Sequence, residues 1–249
     1  MTDAPEILIV ADDLSGAADC AIACAEAGLA SFVALEGVAA AMPGVQALAV
    51  DTDSRRLNAA QAAEVTAATL RRHAGVATKL IYKKIDSTLR GNIAVEIAAG
   101  LAVLRRKTEQ PVCAIVAPAF PKAGRTTQDG HLLVHGVPVE ATELWRNEGI
   151  AGRGFLHEML ASAGLRVAAI GLAAIRDPDT LAQALLAARR DHDALVCDAQ
   201  TDADLAAIAR AGIGLGPATF WAGSAGLAGH LPAAAGLTRS TPPARLSPP

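Results

Sequence analysis

The sequence predicts an α/β protein with a mainly parallel sheet, helices on both faces and a doubly wound topology. Three observations predict it. Short apolar runs alternate with Ala-rich amphipathic stretches along most of the 249 residues. The apolar runs have no polar face, as strands buried on both sides require. Polar residues gather just after the runs end, where open parallel sheets bind ligands.

The elements follow in order. Ile7–Ala11 reads as a buried strand, and Gly16–Gly28 as a helix closed by its glycine. Ser31–Leu35 and Ala47–Val50 read as strands, Ala59–His73 as a helix, Thr78–Ile85 as a strand and Asn92–Arg106 as a helix. Val112–Ala117 is the next strand, and Pro118 stops it. A loop rich in Pro, Gly and Thr follows over Ala119–Gly130. His131–Val134 and Val137–Val139 flank His135-Gly136, a hairpin turn. Gly154–Ala163 is read as a helix and Arg166–Ile170 as a strand. Pro178 opens a helix that runs to Arg190, since proline is tolerated in a first turn. Ala194–Cys197, Asp202–Ala211, Ala218–Ala222 and Ala225–Ala235 complete the alternation as strand, helix, strand and helix. Residues 1–235 are expected to form one domain, and 236–249, with its repeated prolines, a linker end.

Composition excludes several classes. Mean hydropathy is +0.32, yet the longest apolar stretch, Ala17 to Ala30, is broken by Asp19 and Glu26. That is short of the roughly 20 apolar residues a membrane span needs. Net charge is −3 without a basic block, so neither nucleic acid nor an anionic membrane surface is an expected partner. The N-terminus lacks the basic start and apolar core of a signal peptide, and the four scattered cysteines read as reduced, buried thiols. A cytoplasmic location is the expectation. The six histidines show no metal-ligand spacing, so no metal site is expected from protein side chains.

The chemistry-bearing residues sit at strand ends. After the first strand come Asp12, Asp13, Ser15 and Gly16. One aspartate suits a substrate hydroxyl or Mg²⁺ near helix amides, while another Asp or Ser caps the helix. After the third come Asp51, Asp53 and Arg55. The Asp-x-Asp spacing resembles the haloacid dehalogenase phosphatases, but their pair follows the first strand and leads into a different loop. Arg55 suits a planar carboxylate, which guanidinium pairs bidentately. The fourth strand runs into Lys84, Asp86, Ser87, Arg90, Gly91 and Asn92, the densest polar run in the chain. Its cations suit an anionic substrate, and Asp86 and Ser87 suit hydroxyls. The 119–130 loop, which carries Arg125 and Thr126, is long enough to read as a binding loop. Gly223, Ser224 and Gly226 form a Gly-rich turn into a helix, which suits a phosphate held by backbone amides; no Gly-Lys-Ser/Thr follows, so it is not a Walker motif.

Four of these runs, in order, resemble the four-carbon acid sugar kinase family. Ala11-Asp12-Asp13-Leu14-Ser15-Gly16-Ala17 resembles its opening motif, and Lys84-Ile85-Asp86-Ser87-Thr88-Leu89-Arg90-Gly91-Asn92 its K-x-D-S-T-x-R-G-N signature. Pro118 to Gly130, with Gly124-Arg125-Thr126, is similar to its P-A-F-P-x-x-G-R-T loop, and Gly223-Ser224-Ala225-Gly226-Leu227-Ala228 to the run closing its first domain. The resemblance covers roughly residues 6 to 232. It implies ATP-dependent phosphorylation of small sugar acids such as threonate, erythronate or their 3-oxo forms. The first domain then binds the acid, and a second domain, absent from this chain, binds ATP with Mg²⁺. The substrate's hydroxyl attacks the γ-phosphate in line, with Asp12 or Asp86 as the candidate base. A separate nucleotide-binding chain is then an expected partner, and an Ala-rich helical face left bare is a surface for homo-oligomer formation. The competing readings are a non-catalytic sugar-acid binding module and a phosphatase.

Overall fold

The computed structural model describes residues 4–35, 44–108 and 111–239. Its elements in chain order are β1 (Ile7–Ala11), α1 (Leu14–Glu26), β2 (Ser31–Leu35), β3 (Ala47–Asp51), α2 (Ala59–His73), β4 (Leu80–Lys84), α3 (Ile93–Lys107) and β5 (Cys113–Ala117). A small sheet follows, with β6 (Arg125–Gln128), β7 (His131–Val134) and β8 (Val137–Pro138). Then come α4 (Glu143–Asn147), α5 (Leu156–Ser162), β9 (Val167–Ile170), α6 (Leu172–Ile175), α7 (Pro178–Ala188), β10 (Ala194–Cys197), α8 (Asp202–Ile213), β11 (Thr219–Gly223), α9 (Ala225–Ala228) and α10 (Leu231–Ala234).

Eight strands form one sheet in the order β2-β3-β1-β4-β11-β5-β10-β9, and every pairing in it is parallel. The period-2 alternation of the strands divides the core. Ile7, Ile9, Tyr82, Ile115 and Trp221 pack beneath α1, α7 and α8. Their neighbours Leu8, Val10, Val116 and Phe220 face the opposite way, towards α2, α3 and α5. The doubly wound α/β architecture is therefore as the sequence predicts. No helix among the described residues is long and apolar enough to cross a membrane.

Several elements differ from expectation. The presumed loop over 119–130 contains strand β6, which pairs antiparallel with β7. The turn between them is Asp129-Gly130, both with positive φ (53° and 71°), as a two-residue hairpin of the primed type requires. The Asp-Gly signal was hidden inside a run of Pro, Gly and Thr. The expected helix over Ala225–Ala235 is broken into α9 and α10, because Pro232 can join only the first turn of a new helix. The short helices α4 and α6 fall below the length at which periodicity is readable. Most of the stretch read as a linker, 240–249, lies outside the described residues.

The chain steps from β1 towards β2 and β3, then crosses back through α2 to β4 on the other side of β1. This reversal between β1 and β4 is the switch point where ligands bind in such sheets. Asp51, Ala11, Lys84, Gly223 and Ala117 are level across five strands in register.

Candidate functional site

A pocket of about 260 Å³ opens above this level row. Its lining comes from four strand ends and one facing loop. The β1 end supplies Asp13, Ser15, Gly16 and Asp19, and the loop after β3 supplies Arg55. Lys84, Asp86, Ser87 and Arg90 follow β4, Phe120 follows β5, and Ser224 and Ala225 follow β11. A larger cavity of about 510 Å³ lies by Ala74, Leu104 and Pro217, near the amino ends of the strands. It is mainly apolar, and its Lys107 is tied to the carbonyl of Ala74 at 2.8 Å. The convergent polar groups mark the smaller pocket as the candidate site.

Arg55 organises the charge there. Its Nε donates to Asp12 Oδ2 at 2.7 Å and its Nη2 to Asp12 Oδ1 at 3.0 Å. Its Nη1 lies 2.9 Å from Asp13 Oδ2, and Nη2 lies 3.6 Å from Asp86 Oδ1. Asp12 is 1% exposed, and the guanidinium fork gives each of its buried oxygens a partner. Arg55 is a carboxylate clamp, as its chemistry suggests, but the carboxylates it meets are the protein's own. Asp13 has extended backbone and caps α1, accepting from Gly16 N at 2.9 Å.

Asp86 is equally engaged. It accepts from Arg90 Nε and Nη2, both at 2.9 Å, from Arg90 N at 3.2 Å, and from Thr88 N and Oγ1. Burial pushes its carboxyl up, but hydrogen bonds from Arg90 and Thr88 and the charge of Arg55 outweigh burial and hold it well below the usual carboxylate range. Both candidate bases, Asp12 and Asp86, thus have both oxygens occupied by arginine. The Asp86 loop is braced from behind, since Trp145 Nε1 donates to Thr88 O at 2.7 Å.

Lys84 differs from the two arginines. Only 6% exposed, it donates to Ile85 O at 2.9 Å, and among the described residues no carboxylate lies within ion-pair distance of it. It lies against the helix start so closely that a Cβ on Gly16 would sit 2.7 Å from its Nζ. Among the described residues lining the pocket, Lys84 is the cation not neutralised by a protein carboxylate.

The remaining sequence candidates divide. Ser15 and Ser87 line the pocket. Gly91 and Asn92 line an adjoining cleft, where Asn92 Nδ2 donates to Ser54 O and Leu57 O. Arg125 and Thr126 lie in β6 and do not line the pocket; Arg125 Nη1 donates to Ala123 O. Ser224 Oγ donates to Ala119 O at 2.6 Å and accepts from Gly226 N at 3.0 Å, so the Gly226 amide is already capped. Gly223 is packed against Ala117 O and the Tyr82 hydroxyl. Asp51 and Asp53 bond to each other locally, Asp53 N donating to Asp51 Oδ1 at 2.9 Å, and neither lines the pocket. Asp19 was missed. It sits one helical turn beyond Ser15, and the i, i+4 spacing was the signal.

The family described as the sugar-binding N-terminal domain matches residues 7–231, which carry every residue of this pocket. The chain belongs to that family. It is 47% identical over 230 residues to a D-threonate kinase of Cupriavidus necator, covering 91% of this chain and 54% of the relative. It is 32% identical over 210 residues to a D-erythronate kinase of Heliobacterium modesticaldum, covering 82% and 47%. A domain of unknown function from Bordetella bronchiseptica, solved with bound citrate as a domain-swapped dimer, superimposes with a TM-score of 0.78 at 35% identity, covering 93% of this chain and 57% of that one. The chain thus spans about half the length of the curated relatives it matches.

Proposed function

We propose that this chain binds a four-carbon sugar acid in the pocket at the β1/β4 switch point, as the acceptor-binding part of an ATP-dependent kinase. The observation that carries the reading is Lys84, a buried ammonium that lines a polar pocket and has no carboxylate within ion-pair distance among the described residues, in a chain whose relatives are named kinases of threonate and erythronate. In this reading Lys84 holds the substrate carboxylate, and Ser15, Ser87 and Asp19 address its hydroxyls. Asp12, Asp13 and Asp86 keep Arg55 and Arg90 fixed, so the pocket is ordered before the ligand arrives. In this reading the described residues supply the acceptor pocket rather than the nucleotide site. The Gly226 amide is capped by Ser224, and α9 is only four residues long. ATP and Mg²⁺ are therefore assigned to the part of the relatives' length that this chain does not span.

Calorimetric titration of the chain with D-threonate, D-erythronate, 3-oxo-tetronate and the uncharged polyol threitol tests this. At least one tetronate is expected to bind saturably, and threitol is not. Equal binding of threitol would remove the role given to Lys84.

Gly16→Ala gives a second expectation. The added methyl meets both Lys84 Nζ and Asp13 Oδ1 at 2.7 Å. Lys84 is displaced but keeps its charge in the pocket, so tetronate affinity falls about tenfold, part of what one charged hydrogen bond contributes. Alanine favours the helix, while disturbance of the Asp13 cap costs about 1 kcal/mol. The melting temperature therefore moves little.

A further inference from the structure

Consecutive lysines on β4 point to opposite faces of the sheet. Lys84 faces α1 and the pocket, whereas Lys83 is 0% exposed among the residues packed by α2 and α3. There it meets Glu96 of α3, 1% exposed, at 3.1 Å. As a stabiliser this ion pair is poor. The two charges stand off the line of a hydrogen bond, and among the described residues neither Lys83 Nζ nor Glu96 Oε2 has a hydrogen-bond partner. Desolvating two charges under those conditions is not offset by their attraction, and an apolar pair of similar volume would serve packing at least as well.

What Glu96 does hold is the loop that carries Arg55. Ser54 Oγ donates to Glu96 Oε1, and Thr66 Oγ1 does so at 3.3 Å. Ser54 Oγ lies 2.9 Å from Thr52 Oγ1, which donates to Ala11 O at 2.7 Å at the end of β1. Ser54 is 0% exposed and immediately precedes the residue that clamps Asp12, Asp13 and Asp86. The acceptor oxygen of Glu96 fixes the direction of the Ser54 hydroxyl, and Lys83 supplies the counter-charge that a buried carboxylate needs.

We propose that Glu96, with Lys83 as its buried counter-charge, is a positioning device for the sugar-acid site, its acceptor oxygen acting through Ser54 on Arg55. The proposal rests on the reading of the pocket given above. It predicts that affinity follows the acceptor at position 96 rather than the stability of the fold.

The test compares two double variants and one single variant. Lys83→Met with Glu96→Gln removes both charges but keeps an acceptor for Ser54. Lys83→Met with Glu96→Leu removes the acceptor too. Ser54→Ala removes the donor and leaves the charges in place, so it stands in if the Leu variant does not fold. D-threonate affinity is read by calorimetry, stability by thermal melting, and Arg55 by its Nε–H signal in nitrogen-15 NMR. The Gln variant is expected to bind like the wild type with the Arg55 signal retained. The Leu and Ser54→Ala variants are expected to bind about tenfold more weakly, the loss of one buried hydrogen bond. Their Arg55 signal should broaden, and the Leu variant should melt close to the wild type, because removal of the poorly placed charge pair offsets the buried hydroxyls of Ser54 and Thr66 left without an acceptor. A folded Leu variant with wild-type affinity and an unchanged Arg55 signal would overturn the proposal. If the wild type binds no tetronate, the sugar-acid reading has failed, and the Arg55 signal alone decides the positioning role.

Discussion

Replacing Lys84 by methionine is expected to weaken tetronate binding by about a hundredfold while the protein stays folded. A charge-assisted hydrogen bond contributes about 1.5–3 kcal/mol, and the upper part of that range is a hundredfold in affinity. The upper part applies because Lys84 is 6% exposed, where water screens the attraction little. Methionine matches the lysine stem in length and fills the space against Gly16. Stability should not fall, because among the described residues the ammonium, bonded to Ile85 O, has no carboxylate partner whose charge would be stranded. Calorimetry and thermal melting on the same preparation check both halves. Loss of binding together with loss of the folded transition would instead make Lys84 a structural residue.

Arg55→Met is expected to show the opposite pattern, with a large fall in stability. Removing one partner of a buried ion pair costs about 3–5 kcal/mol, because the remaining charge is left uncompensated. Here three aspartates lose their shared cation, and Asp12 is 1% exposed. The deficit depends on pH. In the wild type, burial raises the Asp86 pKa, but the Arg90 and Thr88 hydrogen bonds and the Arg55 charge together lower it. A depressed folded pKa contributes stability that is present above the unfolded value of about 3.9 and is lost as pH falls towards the folded value. The variant lacks part of that contribution. Its deficit relative to the wild type is therefore greatest near neutrality and shrinks below about pH 4. Paired denaturant titrations across this range check the magnitude and the sign.

The difference between these two substitutions shows how far the residues could be read in order along the chain. The sheet was legible because strands such as Ile7–Ala11 and Cys113–Ala117 are apolar on both faces, which is local information. The pocket was legible as a set of strand ends, since parallel topology brings the ends of β1 and β4 together. What Arg55 binds was not legible. Its partners lie in three segments far apart in sequence, and only the register of β3, β1 and β4 puts them around one guanidinium. Lys84 and Lys83 look alike in sequence, and only the pleat gives one to the pocket and the other to Glu96. Asp19 does not stand out in the sequence because it sits within an Ala-rich helix, where a single charge reads as a solvated position. Arg125 was grouped with the binding residues through its motif, yet β6 carries it into the small antiparallel sheet.

A crystal structure of the chain with D-threonate tests the central claim most directly. The ligand is expected in the pocket between α1 and the Asp86 loop, with a carboxylate oxygen within hydrogen-bond distance of Lys84 Nζ and the Arg55–Asp12 fork unbroken. A ligand seated away from Lys84, beside Arg125 or in the apolar cavity by Leu104 and Pro217, would contradict it.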